Sequence, residues 1–175
     1  MRGQPLPRRA LLLTGAALPL LGGCSQPPVQ GFADLPAARL AVQDLMTAKL
    51  RNDGPWPLPQ VLHHLAQSIE YSLAGFPQPK SALFQHTVGA AAWALFDARG
   101  AMSHPLDQPI PGAPALPVDA ALAGGVQRLL TAIDAFSMHT GALQPHFAYG
   151  ALDKPAYTRA HLMHLANHWQ AFQAA

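Results

Sequence analysis

Leu58, Val61, Leu62, Leu65, Ile69 and Leu73 recur at steps of three and four residues. At about 100° per residue this spacing gathers all six on one face of an α-helix. A helix with one apolar face is stable only when another element covers that face. The same period returns elsewhere. Leu40, Leu45 and Leu50, with Val42 and Met46 beside them, make a stripe over "LPAARLAVQDLMTAKLRN". Val126, Leu129, Leu130, Ile133 and Phe136 make another, on a segment that Asp119 is expected to cap and that runs to about His139. "SALFQHTVGAAAWALFDARG" reads as a helix in the middle of the chain, begun by Ser81 as N-cap and stopped at Gly100. The last helix starts behind Asp153, with Pro155 tolerated in its first turn. No stretch alternates with period two for long enough to make a good strand.

The punctuation supports the same division. The chain holds 18 prolines and 14 glycines. "NDGPWP" breaks the first helix, and "AGFPQPK" ends the second, with Gly75 as C-cap and Pro77 beyond it. "MSHPLDQPIPGAPALPV" carries five prolines and excludes a continuous helix, so it reads as a long ordered loop across the surface. "TGALQPHFAYGAL" is a second loop. A chain of 175 residues, half of them hydrophobic and 11% charged, has material for one core and too little charge for disorder. The expected fold class is all-α: an up-and-down four-helix bundle over residues 34–175, crossed by a Pro-rich loop.

Residues 1–23 read as a cleaved N-terminal signal peptide. Arg2, Arg8 and Arg9 form a basic leader before an apolar run at 10–21, too short for an ordinary membrane-spanning helix. Leu21-Gly22-Gly23-Cys24 resembles the lipobox of bacterial lipoproteins, which makes Cys24 the lipidation site and residues 24–33 a lipidated tether. Arg8-Arg9 ahead of Ala10-Leu11-Leu12 resembles a twin-arginine signal; a Sec signal with two incidental arginines is the alternative. The expected address is the cell envelope of a bacterium, with a membrane partner reached through the lipid. Ser25 after the cysteine favours the periplasmic face of the outer membrane. Cys24 is the only cysteine, so disulfides, thiolate catalysis and cysteine-based zinc sites within one chain are excluded. Removal of the three leader arginines changes the net charge from +2 to −1 and leaves no basic stripe for nucleic acid.

Nine histidines stand against nine acids, and three of them share the last helix. His161, His164 and His168 in "RAHLMHLANHWQAF" fall within about 60° of one another on a helical wheel. Tyr157, Leu165 and Phe172 border them, whereas Arg159, Ala166, Asn167, Gln170 and Gln173 lie opposite. The three imidazoles therefore point into the bundle. A buried imidazole without a partner costs on the order of 1–3 kcal/mol. One such ring is readily satisfied by a carbonyl or a hydroxyl. Two at i and i+4 also reach one point in space and can chelate a divalent ion, given a third ligand from elsewhere. The second helix offers His63 and His64, on opposite flanks of its apolar face, and periodicity does not choose between them.

"WPLPQVLHHLAQSIEYSLAGFPQ" and "PHFAYGALDKPAYTRAHLMHLANHW" together resemble the DinB/YfiT-like superfamily of metal-binding proteins, and within it the branch called domain of unknown function 1569. The likeness runs from about Trp56 to Phe172: a tryptophan, a helix with "HLA", an aromatic-glycine step at Tyr149-Gly150 preceded by His146, and a capped last helix with HxxxH. It implies a DinB-like four-helix bundle with three histidines around one divalent metal ion. Carried over, the ligands are His64, His164 and His168. His63 becomes a flanking residue and His161 fits no triad position, leaving it as an outer-shell donor, an alternative ligand or a core residue. His146 stands in the loop that could line the site. Glu70, the only glutamate, lies six residues past His64 and reads as solvent-facing.

Three neutral imidazoles suit zinc, nickel or iron and leave a position open on the ion. The superfamily includes thiol-dependent transferases and an isomerase that uses a low-molecular-weight thiol. The resemblance thus implies a metal-dependent transferase or hydrolase acting on a small-molecule substrate. The proposed envelope address, poor in cytoplasmic thiols, and the lack of a general base beside the triad favour the alternative, a non-catalytic metal- or ligand-binding lipoprotein. A structural protein with no metal is the third reading. The sequence leaves open whether the bundle pairs into a homodimer.

Overall fold

A computed structural model describes residues 26–174. Cys24, the arginine pair and the rest of the expected signal peptide lie outside the described residues. The described chain is mostly helical. Its elements run α1 (Leu35–Asp44), β1 (Leu50–Asn52), α2 (Leu58–Ala74), α3 (Ala82–Phe84), a π-helical segment (Gln85–Gly89), α4 (Ala90–Arg99), α5 (Leu122–Met138), α6 (Lys154–Trp169) and β2 (Phe172–Ala174). None of these helices is long and apolar enough to cross a membrane.

The packing follows the apolar stripes. α2 lies chiefly against α5 and also meets α6, while α1 touches both α5 and α6. Val61, Leu62, Leu65 and Ile69 of α2 are buried against Val126, Leu129, Ile133 and Phe136 of α5. Each such side chain stabilises the fold by about 1.5–3 kcal/mol on burial. Gly125 allows the close approach of α5 to α2: a Cβ there would stand 3.0 Å from the Pro59 carbonyl oxygen and 3.1 Å from Leu62 Cβ.

Helix boundaries agree with the sequence where a side chain caps them. Asp153 Oδ1 accepts from the Ala156 N–H at 2.8 Å, and Ser81 Oγ accepts from the Phe84 N–H at 3.2 Å. Gly100 closes α4 in the left-handed region at φ 60°. Asp119 does not cap α5; the N-cap is Ala121, which offers no side-chain bond. The first stripe also needs correction. α1 ends at Asp44, and its buried residues are Leu35, Ala38 and Val42, while Leu40 is exposed. Leu50 belongs to β1, which pairs antiparallel with β2 through Leu50–Ala174, Arg51–Gln173 and Asn52–Phe172. Three residues per strand are too few to show a period of two.

Residues 26–33, expected as part of a tether, lie along the helices. The Gln30 N–H donates to the Gly100 carbonyl at 2.8 Å, and Phe32 is buried edge-on against Trp169. This segment and α4 cover the side of α6 opposite the histidines. Arg159 there pairs with Asp97 and donates to the Pro27 carbonyl at 2.9 Å. Asn167, on the same side, is buried.

Candidate metal centre

α2 presents His64, and α6 presents His164 and His168, from opposite sides of one interior point. Ligand nitrogens from all three lie within 4.8 Å of one another. His64 Nε2 and His164 Nε2 stand 3.2 Å apart, and two nitrogens bound to one ion at about 2.0–2.1 Å with tetrahedral angles would be about 3.3 Å apart. His64 and His168 are buried, while His164 keeps an accessible edge. His64 Nδ1 and His168 Nε2 are buried with no hydrogen-bond partner among the described residues. Orphans of this kind cost about 1–3 kcal/mol each when nothing occupies the lone pair. A cation beside the orphaned His168 Nε2 would satisfy it, whereas His64 Nδ1 is the other nitrogen of a ring whose Nε2 faces His164. The residues are therefore positioned to hold a metal ion.

The electrostatics suit that role. Burial, with His104 nearby, pushes His64 down to about 4. Burial, with His64 and His104, pushes His168 down to about 3. Burial and the surrounding histidines hold His164 well below the ordinary imidazole range. All three rings are neutral at neutral pH, so a metal has no ligand proton to displace. Trp56 packs edge-on against His64 with ring centres 5.2 Å apart and fixes that ring from outside.

A cavity of about 370 Å³ opens onto His64 and His164. His104, His146, Tyr149 and Lys80 also line it, and no Asp or Glu among the described residues does. The model of a family described as a protein of unknown function, DUF1569, matches residues 28–175. The chain belongs to the DUF1569 family. No curated protein and no solved structure matches it.

The remaining histidines of this DUF1569 chain separate into distinct surroundings. His146 lines the cavity. Its Nδ1 accepts from the N–H groups of Ala148 at 3.1 Å and Tyr149 at 3.2 Å, which leaves the proton on Nε2. The ring stacks on Tyr149 at 4.2 Å, and burial pushes its pKa down to about 3. The loop is closed by reciprocal backbone bonds between His146 and Gly150. Gly89 in the π-helical segment passes beneath it so tightly that a Cβ would lie 1.9 Å from the Ala148 carbonyl oxygen.

His161 is outside the tight set. Ser72 spends its hydroxyl proton on the Ile69 carbonyl at 2.6 Å, so its oxygen accepts from His161 Nε2–H at 3.2 Å. The ring stacks on Tyr157 and meets Phe136 edge-on. Among the open alternatives for His161, a core histidine at the cavity wall is the one these contacts describe. His63 points away, 3.4 Å from Arg128 Nη1. Glu70 is not free in solvent: Arg128 clamps it through Nε at 2.9 Å and Nη2 at 2.7 Å. His104 was not anticipated as a site residue. It sits in the Pro-rich loop, where no periodicity ties a side chain to the helices.

Proposed function

We propose that the chain is a DinB-like four-helix bundle of α1, α2, α5 and α6 that binds one divalent ion through His64, His164 and His168 and acts as a metal-dependent transferase or hydrolase. Zinc, nickel and iron all suit three imidazole nitrogens. The observation that carries the reading is the convergence of three neutral imidazoles, two buried and one half-buried, at the end of a cavity large enough for a small molecule. When bound, such an ion polarises a substrate and lowers the pKa of a water or thiol that joins it. The chain's own residues would bind and orient. His146, Phe147 and Tyr149 offer an aromatic wall, and Lys80 offers a cation where no carboxylate stands. That charge balance favours an anionic molecule.

The proposal includes export and lipid anchoring through Cys24 to the bacterial envelope, supported by the leader and lipobox-like residues alone. A second reading, a non-catalytic metal- or ligand-binding lipoprotein, is favoured by the absence of Asp and Glu from the cavity lining, since no carboxylate is there to act as general base. Metal analysis of the domain from Ser25 onward, purified without a His tag, tests both. About one divalent ion per chain supports the site, and assays of thiol transfer and hydrolysis then separate enzyme from binder. A folded, helical, metal-free protein whose spectrum ignores added metals overturns the metal site and with it the enzyme reading.

A further inference from the structure

We propose that His104 is a fourth imidazole ligand, supplied by the Pro-rich loop to the same ion; the inference rests on the metal reading above. Ring centres within the triad are separated by 5.0 Å (His64–His164), 5.1 Å (His64–His168) and 5.0 Å (His164–His168). His104 stands 4.9 Å from His164 and 5.3 Å from His168. It is as close to those two rings as the triad members are to one another. Imidazoles on one ion with bonds of about 2.0–2.1 Å and tetrahedral angles place their ring centres about 5 Å apart, a spacing His104 meets with His164 and His168, the two ligands on α6.

The orientation of the ring is fixed as a ligand's would be. His104 Nδ1–H donates to the Pro105 carbonyl at 2.8 Å, which leaves the lone pair on Nε2. Histidine ligands almost always spend their other ring nitrogen on such an acceptor. The loop is tied to the ligand helix at the same point: Asn167 Nδ2 donates to the His104 carbonyl at 3.3 Å, one residue before His168. The triad nitrogens form the tighter set. His104 approaches from the cavity, which it lines together with His64 and His164. With His104 bound the ion holds four imidazoles, so a molecule entering the cavity either adds as a fifth ligand or displaces His104 from the ion.

The test is paramagnetic proton NMR of the full-length chain in mild detergent, loaded with cobalt. Four sets of hyperfine-shifted imidazole resonances are expected in the wild type, and three in His104→Gln. That variant should also bind cobalt at least about 10–100-fold more weakly, since loss of even a residue that only orients a ligand typically costs that much. Three sets in both proteins, with equal affinity, would overturn the role of His104 and leave the triad standing. No cobalt binding by the wild type would overturn the metal reading with it. The wild-type count decides the matter even where the variant folds poorly.

Discussion

His161 and His164 are three residues apart on one helix face, yet their surroundings differ. His161 spends Nε2–H on Ser72, whereas His164 faces His64 across 3.2 Å. His164→Ala should lose most of the bound metal, and His63→Ala should keep it, because His63 faces Arg128 instead. Metal content of the two purified variants checks this, and full occupancy in both would remove the triad. His161 also gives a pH signature. Burial pushes it down to about 3 from an ordinary 6.5. The unfolded chain therefore takes up a proton below about pH 6.5 that the folded chain refuses, and stability is lost as pH falls from there toward 3, by about 1.4 kcal/mol per pH unit for one such group. Urea unfolding of the metal-free protein at pH 7, 6 and 5 should show that fall. It should be shallower in His161→Gln, which keeps a donor for Ser72; equal slopes would mean that His161 titrates normally. The inward direction of these histidines was legible from helical spacing. Which of them meets His64 was not legible from spacing, because ligand choice depends on the neighbouring helix; only the family resemblance singled out His164 and His168. His104 was hidden for the same reason, since a loop has no period to reveal its aim.

Among the elements, those with a repeated apolar face and a side-chain cap were legible. α2 was expected from about Leu58 to Leu73 and runs from Leu58 to Ala74. α6 begins behind Asp153 as expected. The misreadings occur where a local signal lacked a tertiary partner. Asp119 is a good capping residue two positions from the actual cap, and the chain turns into α5 only at Ala121. Leu50 continues the period of α1 but is drawn into pairing with Ala174 at the far end of the chain. Asp153→Ala should cost about 1 kcal/mol of stability, as N-cap losses do, while Asp119→Ala should leave the unfolding midpoint unchanged. Chemical denaturation of both variants tests the assignment; a larger loss for Asp119 would reverse it. The π-helical segment had no sequence signature. Its Gly89 sits against the Ala148 carbonyl, so its place is set by the loop that carries His146.

At the scale of the molecule, no acid among the described residues lines the cavity, and several are held in ion pairs elsewhere in the fold. Glu70 pairs with Arg128, Asp97 with Arg159 and Asp134 with Arg39, each joining two segments of the fold. Among the described residues, the cavity's polar lining is histidines, Ser68, Gln108, Tyr149, Tyr157 and the one cation Lys80. Imidazoles are neutral donors, so a divalent ion there would keep its full charge. In a partly enclosed site that charge acts on a ligand with less screening than in bulk water. An anion with a flat apolar body then suits both the charge and the wall formed by His146, Phe147 and Tyr149. Benzoate should bind the metal-loaded protein at least tenfold more tightly than benzamide, which has the same ring without the charge. Lys80→Gln should weaken benzoate several-fold and leave benzamide unchanged, and added salt should weaken benzoate because Lys80 is exposed. Isothermal titration with the two compounds reads all three effects. Equal affinity for both would show that shape, and not charge, selects what enters the cavity.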